Sequence, residues 1–102
     1  MYAQQELIDK LTTIFKRFPI KRAALFGSYA RNEQKENPDL DIVLELNLTN
    51  TNELPDIIYV IWDELEGGVN LKADVLTFES LDTVPRAIRS RILTDLRYIY
   101  EV

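Results

Sequence analysis

The chain contains no cysteine and no histidine among its 102 residues. The absence of cysteine excludes disulfides and thiolate chemistry. The absence of histidine excludes imidazole metal sites, histidine general bases and catalytic triads built on histidine. Any chemistry that this chain performs must therefore use carboxylates, hydroxyl groups and cations.

Long apolar runs are also absent from the sequence. No stretch of about 18 uninterrupted apolar residues occurs, and the start, MYAQQELIDKL, lacks the basic and then apolar layout of a signal peptide. We therefore expect a cytoplasmic protein with no membrane partner. The length and the 46% content of hydrophobic residues predict one domain over residues 1–102, with a single core.

Positive charge is the scarcer sign, since 12 Lys and Arg residues stand against 17 Asp and Glu residues and give a net charge of −5. This balance argues against direct binding of nucleic acid. A group of acids that binds divalent cations would, however, lose part of that negative charge on loading.

Hydrophobic spacing and helix stop signals predict three longer helices. The first covers residues 4–18 and is stopped by Pro19. The second has Pro55 in its first turn and Gly67 just past its end. The third runs to the end of the chain, with Asp82 or Thr83 as its cap and Pro85 at its start. The residues of this last helix that we expect to face the core are Ile88, Ile92, Leu96 and Ile99.

Three strands are predicted between these helices. The first covers residues 20–26 and ends at Gly27, and a brief helix can begin at Ser28. The second, LDIVLEL, alternates in polarity and has a wholly apolar back, and the third lies within VNLKADVLTF. The order of elements predicts an α/β (α+β) fold class, in which helices back a small mixed sheet.

Two aspartates stand one residue apart where the second strand begins. Side chains at positions i and i+2 of a strand share a face, roughly 6–7 Å apart, so Asp39 and Asp41 would repel each other unless a cation lay between them. Mg²⁺ prefers oxygen ligands, usually carboxylates together with substrate phosphates. Two metal ions could bridge this pair, and Asp74 on the neighbouring strand could complete the cluster.

A glycine turn lies a short loop ahead of these acids, in the stretch FGSYAR. Gly27 allows close approach of the backbone, and the N–H groups that follow it, together with the Ser28 hydroxyl, can hold a phosphate. Arg31 lies one turn along and can neutralise a leaving pyrophosphate. Metal charge, anion donors and positioning are what phosphoryl and nucleotidyl transfer require.

Each of these features alone has an ordinary structural interpretation. An Asp-x-Asp pair can be a solvated strand end, a Gly-Ser pair can be a turn with a helix cap, and Asp74 can pair with a neighbouring cation. The broad apolar face of the second helix is interpreted as core rather than interface. The combination of a glycine turn after one strand with acids on the next two favours a nucleotidyl-transfer site.

The motifs GSYAR, DLD and KADVL resemble those of the nucleotidyltransferase superfamily with the DNA polymerase β-like fold, specifically its minimal, MNT-type members. The likeness covers most of the chain, including the ending VPRAIRSRILTDLRYIY. It implies that Gly27 and Ser28 bind the triphosphate of MgATP. It also implies that Asp39 and Asp41 ligate two Mg²⁺ ions, and that Asp74 ligates the catalytic one and helps to activate the nucleophile.

The sequence departs from the family pattern at two positions. Asn32 stands where the family commonly has glycine after the arginine, and Pro38 stands where it commonly has serine before the first aspartate. Asparagine tolerates a left-handed backbone nearly as glycine does, so we expect the turn to survive. Pro38 removes one N–H and one hydroxyl group, which concerns substrate positioning and leaves the metal ligands in place.

The resemblance also implies a partner. Minimal nucleotidyltransferases of this type act as antitoxins that bind a helical HEPN RNase toxin and transfer AMP from ATP to its tyrosine, so a hetero-oligomer with such a toxin is expected. Three alternatives stay open at this point. The chain could be a small-molecule nucleotidyltransferase subunit, a catalytically inactive antitoxin that only binds its toxin, or a purely structural interaction domain.

Overall fold

A computed structural model describes residues 3–33, 38–48 and 54–102 of the protein. Four strands form one sheet, helices cover both of its faces, and a short 3-10 helix, Glu79–Thr83, precedes the last long helix. In chain order the elements are α1 Gln4–Phe15, β1 Ile20–Phe26, α2 Gly27–Ala30, β2 Leu40–Leu46, α3 Leu54–Val69, β3 Ala73–Thr77, α4 Arg86–Asp95 and β4 Arg97–Glu101.

The sheet has the strand order β3-β2-β1-β4. Strand β1 pairs antiparallel with both β2 and β4, whereas β2 and β3 run parallel. The predicted small mixed sheet is therefore confirmed. Since β3 and β4 lie at the two edges, the central strands β1 and β2 carry the most apolar sequences.

Apolar side chains cover both faces of the sheet. Helices α1 and α3 pack on one face. There they cover the apolar side of β2 that the sequence predicts, and Leu40, Ile42 and Leu44 are fully buried. On the other face Val43 is fully buried against Leu81 and Ile92, which come from the 3-10 helix and α4. This second cluster fixes α4 beside the end of β1, and α4 thereby forms one wall of the cleft described below.

The predicted C-terminal helix is wrong in its second half. Helix α4 ends at Asp95, Leu96 adopts an extended backbone, and the remaining residues form the edge strand β4. Ile88 is half exposed instead of buried, and Ile99 packs from β4. No glycine or proline marks the break. The alternating, aromatic stretch RYIYE becomes a strand because β1 offers it a free edge to pair with.

Two predicted helix boundaries and one cap also differ from the structure. Helix α1 ends at Phe15, three residues earlier than expected. Helix α3 does not stop at Gly67 but continues to the buried Val69, and Asn70 ends it in the left-handed conformation, with φ of 55°. The residues expected to cap α4, Asp82 and Thr83, lie in the 3-10 helix, and Pro85 occupies the cap position instead.

The two glycines of α3 do not end the helix, and the packing at Gly68 shows the reason. A Cβ at this position would lie 2.6 Å from Cδ1 of Ile14, so the absence of a side chain allows α1 and α3 to pack closely. Within the part of the chain that the structure describes, no helix is both long and apolar enough to cross a membrane.

Candidate active site

The strand register brings two of the predicted acids together at one end of the sheet. Asp41 pairs with Phe26 on β1 and with Asp74 on β3, so the three positions form a row across the central strands. The carboxylate of Asp74 is near enough to Asp41 to raise its pKa. Gly27 directly follows Phe26 and therefore lies beside the same carboxyl group.

Gly27 satisfies two requirements that no other residue type meets here. Its backbone has a φ of +72°, in the region that favours glycine. A Cβ at this position would lie 2.4 Å from Oδ2 of Asp41, so any side chain would displace that carboxyl group. The glycine turn and the acid on the next strand are thus one structural unit.

Asp41 occupies an unfavourable position for a negative charge. Partial burial, together with the neighbouring Asp74 and Asp39 carboxylates, raises the pKa of Asp41 from its ordinary value of 3.8 to about 6, while Arg31 opposes the shift. Two neighbouring carboxylates repel each other unless a proton or a cation lies between them. The Asp41–Asp74 pair therefore fits a divalent cation that prefers oxygen ligands.

Asp39 lies just before β2 and is exposed, but it lines the same cleft as Asp41. Among residues 3–33, 38–48 and 54–102, no group of three or more potential metal-ligating side chains lies close enough to hold an ion. The structure thus pairs Asp41 with Asp74 and leaves Asp39 at the rim of the cleft, where its side chain would have to turn inward to join them.

The cleft beside these acids has a volume of about 340 Å³. Gly27, Ser28 and Arg31 line it together with Asp39 and Asp41, so the predicted phosphate-binding residues and two of the three acids share a surface, whereas Asp74 is not part of the lining. The Arg31 guanidinium donates to Asp95 at 2.5 Å and to Glu33 at 3.1 Å. Both ion pairs are at least partly exposed, so a phosphate group can replace these carboxylates at modest cost.

The contribution of α4 to this cleft was not predicted from the sequence. Ile88, Arg91 and Asp95 follow one another at helical spacing, and all three line the cleft. Arg91 is exposed and forms no ion pair or hydrogen bond with any residue in the described part of the chain. No signal in the sequence indicated this contribution, because Ile88 was expected to face the core and arginines are common on surface helices.

The two departures from the family pattern lie close to the site. Asn32 adopts a left-handed backbone, with φ of 56°, so the expectation that asparagine preserves this turn is confirmed. Pro38 is half-buried immediately before Asp39. Its ring restricts the backbone at the point where the chain returns to the cleft.

The pKa of Asp41 gives a prediction for stability. Because folding raises this pKa, the folded state holds the proton more tightly than the unfolded chain. The protonated Asp41 therefore stabilises the folded state at low pH. This stabilisation is lost as the pH rises from about 4 to about 6 and the carboxyl ionises. In buffer with EDTA at pH 7.5, Asp41→Asn should raise the free energy of unfolding by roughly 1–2 kcal/mol, since the half-exposed carboxyl realises only part of the cost of a full pKa shift.

Urea denaturation at pH 7.5 and at pH 4 tests this expectation, because the gain should shrink to a small fraction at pH 4, where the carboxyl of the folded parent is almost fully protonated. Asp63→Asn, at an exposed position on α3, is the matched control and should show no such gain. A gain of equal size at both pH values would show that the substitution acts through something other than the charge.

Comparison with known protein families assigns the chain to one of them. Residues 8–99 match the nucleotidyltransferase domain, and the chain belongs to that family. MJ0435 of Methanocaldococcus jannaschii, which is assigned to the protein adenylyltransferases, is 38% identical over 90 residues that cover 88% of this chain and 90% of the relative. The protein adenylyltransferase MntA of Thermococcus cleftensis is 30% identical over 101 residues, covering 92% of this chain and 94% of MntA.

Solved structures share the fold at lower sequence identity. A toxin–antitoxin complex with AMP-PNP matches with a TM-score of 0.70 and 18% identity, covering 93% of this chain and 73% of the matched chain. The complex of a tri-AMPylated Shewanella oneidensis HEPN toxin with its MNT antitoxin matches with a TM-score of 0.67 and 17% identity, covering 98% and 74%. At these identities the likeness shows the fold alone, and it confirms the predicted polymerase β-like nucleotidyltransferase architecture.

Proposed function

We propose that this chain transfers AMP from MgATP to a hydroxyl group, a tyrosine in the first instance, of a partner HEPN toxin and thereby acts as its antitoxin. The observation that carries the proposal is the Asp41–Asp74 carboxyl pair held against Gly27. Membership of the nucleotidyltransferase family and the activity of MntA support the reaction type. The tri-AMPylated toxin in complex with an MNT antitoxin supports the kind of acceptor. The cytoplasmic location of this reaction stays a prediction.

Asp39, Asp41 and Asp74 would hold the magnesium in this proposal. Bound Mg²⁺ neutralises the charge that develops on the α-phosphate and on the leaving pyrophosphate. The chain itself contributes the position of these ligands, since the register of β2 with β3 places Asp41 and Asp74 side by side. Burial first, and then the charges of Asp74 and Asp39, raise the pKa of Asp41, and a bound cation would offset this cost.

The opposite side of the cleft would bind the triphosphate. The absence of a side chain at Gly27 lets a phosphate approach the backbone, and the Ser28 hydroxyl and the Arg31 guanidinium can donate to its oxygens. Arg91 faces this position from α4, and we assign it to the same phosphate-binding group because no described residue occupies its guanidinium. Arg31 and Arg91 together would neutralise a leaving pyrophosphate.

The acceptor hydroxyl would then enter from the β3 side. Asp74 stands on the edge strand, farther from Gly27 than Asp41 does, because the strand order places β2 between β1 and β3. Its carboxylate is therefore the group placed to accept the proton of an incoming hydroxyl. An in-line attack on the α-phosphate would follow, with pyrophosphate leaving toward Arg31.

The proposal is tested by incubating the chain and the product of its neighbouring gene, which the proposal identifies as the HEPN protein, with Mg²⁺ and ATP labelled at the α-phosphate. We expect the label on the HEPN protein, on a tyrosine located by peptide mass spectrometry. The same incubation with ATP labelled at the γ-phosphate is the control and should leave the protein unlabelled, because pyrophosphate departs.

The other outcomes favour the alternatives. A label that appears only on an added small molecule, such as an aminoglycoside, would favour a small-molecule nucleotidyltransferase. A HEPN toxin that is neutralised without any label would favour an inactive antitoxin that works by binding alone.

A further inference from the structure

An apolar groove runs along the outer edge of the sheet, between α3 and β3. Its volume is about 310 Å³, and almost all of its lining is apolar. Tyr59 is 69% exposed and Trp62 is half-buried, so α3 presents aromatic side chains here that the core does not fully cover. The interpretation of the broad apolar face of α3 as core is confirmed, since Ile61 and Leu65 are fully buried and Ile57, Ile58 and Trp62 pack against the core while remaining partly accessible. The groove is lined by Ile58, Tyr59, Trp62, Val75, Leu76, Thr77 and Ser80.

The groove continues along β3 from the position of Asp74 in the active site. Asp74 precedes Val75, Leu76 and Thr77 on β3, so the strand that carries the acceptor-side acid also forms the floor of the groove. The triphosphate side of the cleft, at Gly27 and Arg31, lies across β2 and β1 from this edge. A molecule in the groove would therefore reach Asp74 without crossing the nucleotide.

The backbone at this edge is partly closed to an added strand. Since Lys72 and Phe78 hydrogen-bond to β2, alternation points the N–H groups of residues 73, 75 and 77 outward. Ala73 donates its N–H to Glu66 at 2.8 Å, and Thr77 donates its N–H to the Ser80 hydroxyl at 3.1 Å. Two of the three outward donors are thus occupied, which disfavours strand addition and leaves side-chain contacts as the mode of binding.

The charged side chains of the helix that borders the groove are all negative. Helix α3 carries four acidic residues and no lysine or arginine along LPDIIYVIWDELEGGV. Glu64 pairs with Arg17 and Glu66 accepts the hydrogen bond from Ala73, whereas Asp56 and Asp63 remain exposed to solvent. An apolar groove beside such a helix is complementary to an apolar anchor flanked by lysine or arginine.

We propose that this groove docks the protein that accepts AMP, through an apolar side-chain anchor flanked by basic residues. The proposal rests on the proposed function for the identity of that protein. A groove of this volume accommodates one or two large side chains, so it serves as the anchor pocket within a larger contact that also covers Asp56 and Asp63. Docking at the β3 edge delivers the acceptor hydroxyl to Asp74 while the nucleotide occupies the opposite side.

Two neighbouring exposed residues of α3 provide a matched pair of variants for the test. Tyr59 lines the groove, whereas Val60 is 52% exposed and does not line it. Tyr59→Ser should weaken binding to the purified HEPN protein by about tenfold or more, measured by biolayer interferometry. Val60→Ser should change the dissociation constant by less than about threefold. MgATP affinity and melting temperature should stay unchanged in both.

Charge gives a second, independent measurement. Asp56→Lys with Asp63→Lys should slow association with the HEPN protein and reduce its dependence on salt concentration. Equal binding by Tyr59→Ser and the parent, equal losses from both serine variants, or a parent chain that does not bind the HEPN protein would overturn the docking proposal. So would concentration-dependent self-association that is lost in Tyr59→Ser, since the groove would then belong to a second copy.

The two proposals fail in different ways in these experiments. In one outcome the parent binds the HEPN protein but leaves it unlabelled, and Tyr59→Ser loses binding. This result would support the docking site and contradict AMP transfer. If the parent labels the HEPN protein and Tyr59→Ser labels it as fast at low acceptor concentration, AMP transfer stands and the docking site does not.

Discussion

Transfer of AMP to the partner should fall below detection when Asp39 and Asp41 are both changed to asparagine. The amide side chains keep the shape of the carboxyls but lose the charge that holds a divalent cation. Loss of electrostatic stabilisation at one such position typically costs about 3–4 kcal/mol of transition-state free energy, or two to three orders of magnitude in rate. Loss at both positions should therefore leave no measurable transfer in a radiolabel assay.

The same double variant should still fold and still bind the partner. Asp39 is exposed, and Asp41→Asn relieves repulsion with Asp74, so the melting temperature in EDTA should not fall. Co-expression followed by intact-mass spectrometry separates chemistry from binding, because the complex should purify without AMP on the partner. Unchanged transfer of AMP by the double variant would show that the carboxylates of Asp39 and Asp41 are not required for the reaction.

The second large effect concerns the nucleotide. Changing Ser28 and Arg31 together to alanine removes a hydroxyl donor and a cation from the triphosphate side of the cleft. We expect the affinity for MgATP to fall by roughly 150- to 25,000-fold, since hydrogen bonds to charged groups contribute about 1.5–3 kcal/mol each and two of them are removed. The fall should lie toward the lower end, because the ion pairs of Arg31 with Asp95 and Glu33 must break in the parent when nucleotide binds.

Isothermal titration calorimetry measures this effect and distinguishes it from loss of metal binding. The affinity for Mg²⁺ alone should change far less than the affinity for MgATP, because the acids are intact. Arg86→Ala, at the exposed start of α4 and outside the cleft, is the control, and Arg91→Ala tests the assignment of that residue to the phosphate group. If the double variant binds MgATP as tightly as the parent, these side chains do not bind the triphosphate. The glycine turn would then serve only as a helix cap.

Local patterns in the sequence were sufficient for much of this site. The alternation of β2, the apolar run of β1 and the turn at Gly27 are decided within a few residues, and the bounds of β1 and β2 agree with the structure. The spacing of Asp39 and Asp41 likewise requires only the two-residue repeat of a strand. The left-handed conformation at Asn32 follows from the side chain alone.

Other features depended on contacts between segments distant in the sequence. The stretch after Asp95 has helical spacing, yet it forms β4 because β1 has a free edge there, and no local signal encodes that edge. Helix α3 continues through Gly67 because Gly68 fits against Ile14 of α1. In both places tertiary contacts outweigh a weak local preference.

The sequence by itself determined which residues make up the proposed site, since the glycine turn, the acid pair and the third acid are all readable along the chain. Only the tertiary structure decided how they are arranged. The parallel register of β2 with β3 sets Asp41 beside Asp74, and the packing of α4 on Val43 brings Arg91 into the lining of the cleft. Register and helix placement are chosen by the burial of apolar surface across the whole sheet, which is a property of the folded molecule and not of any single segment.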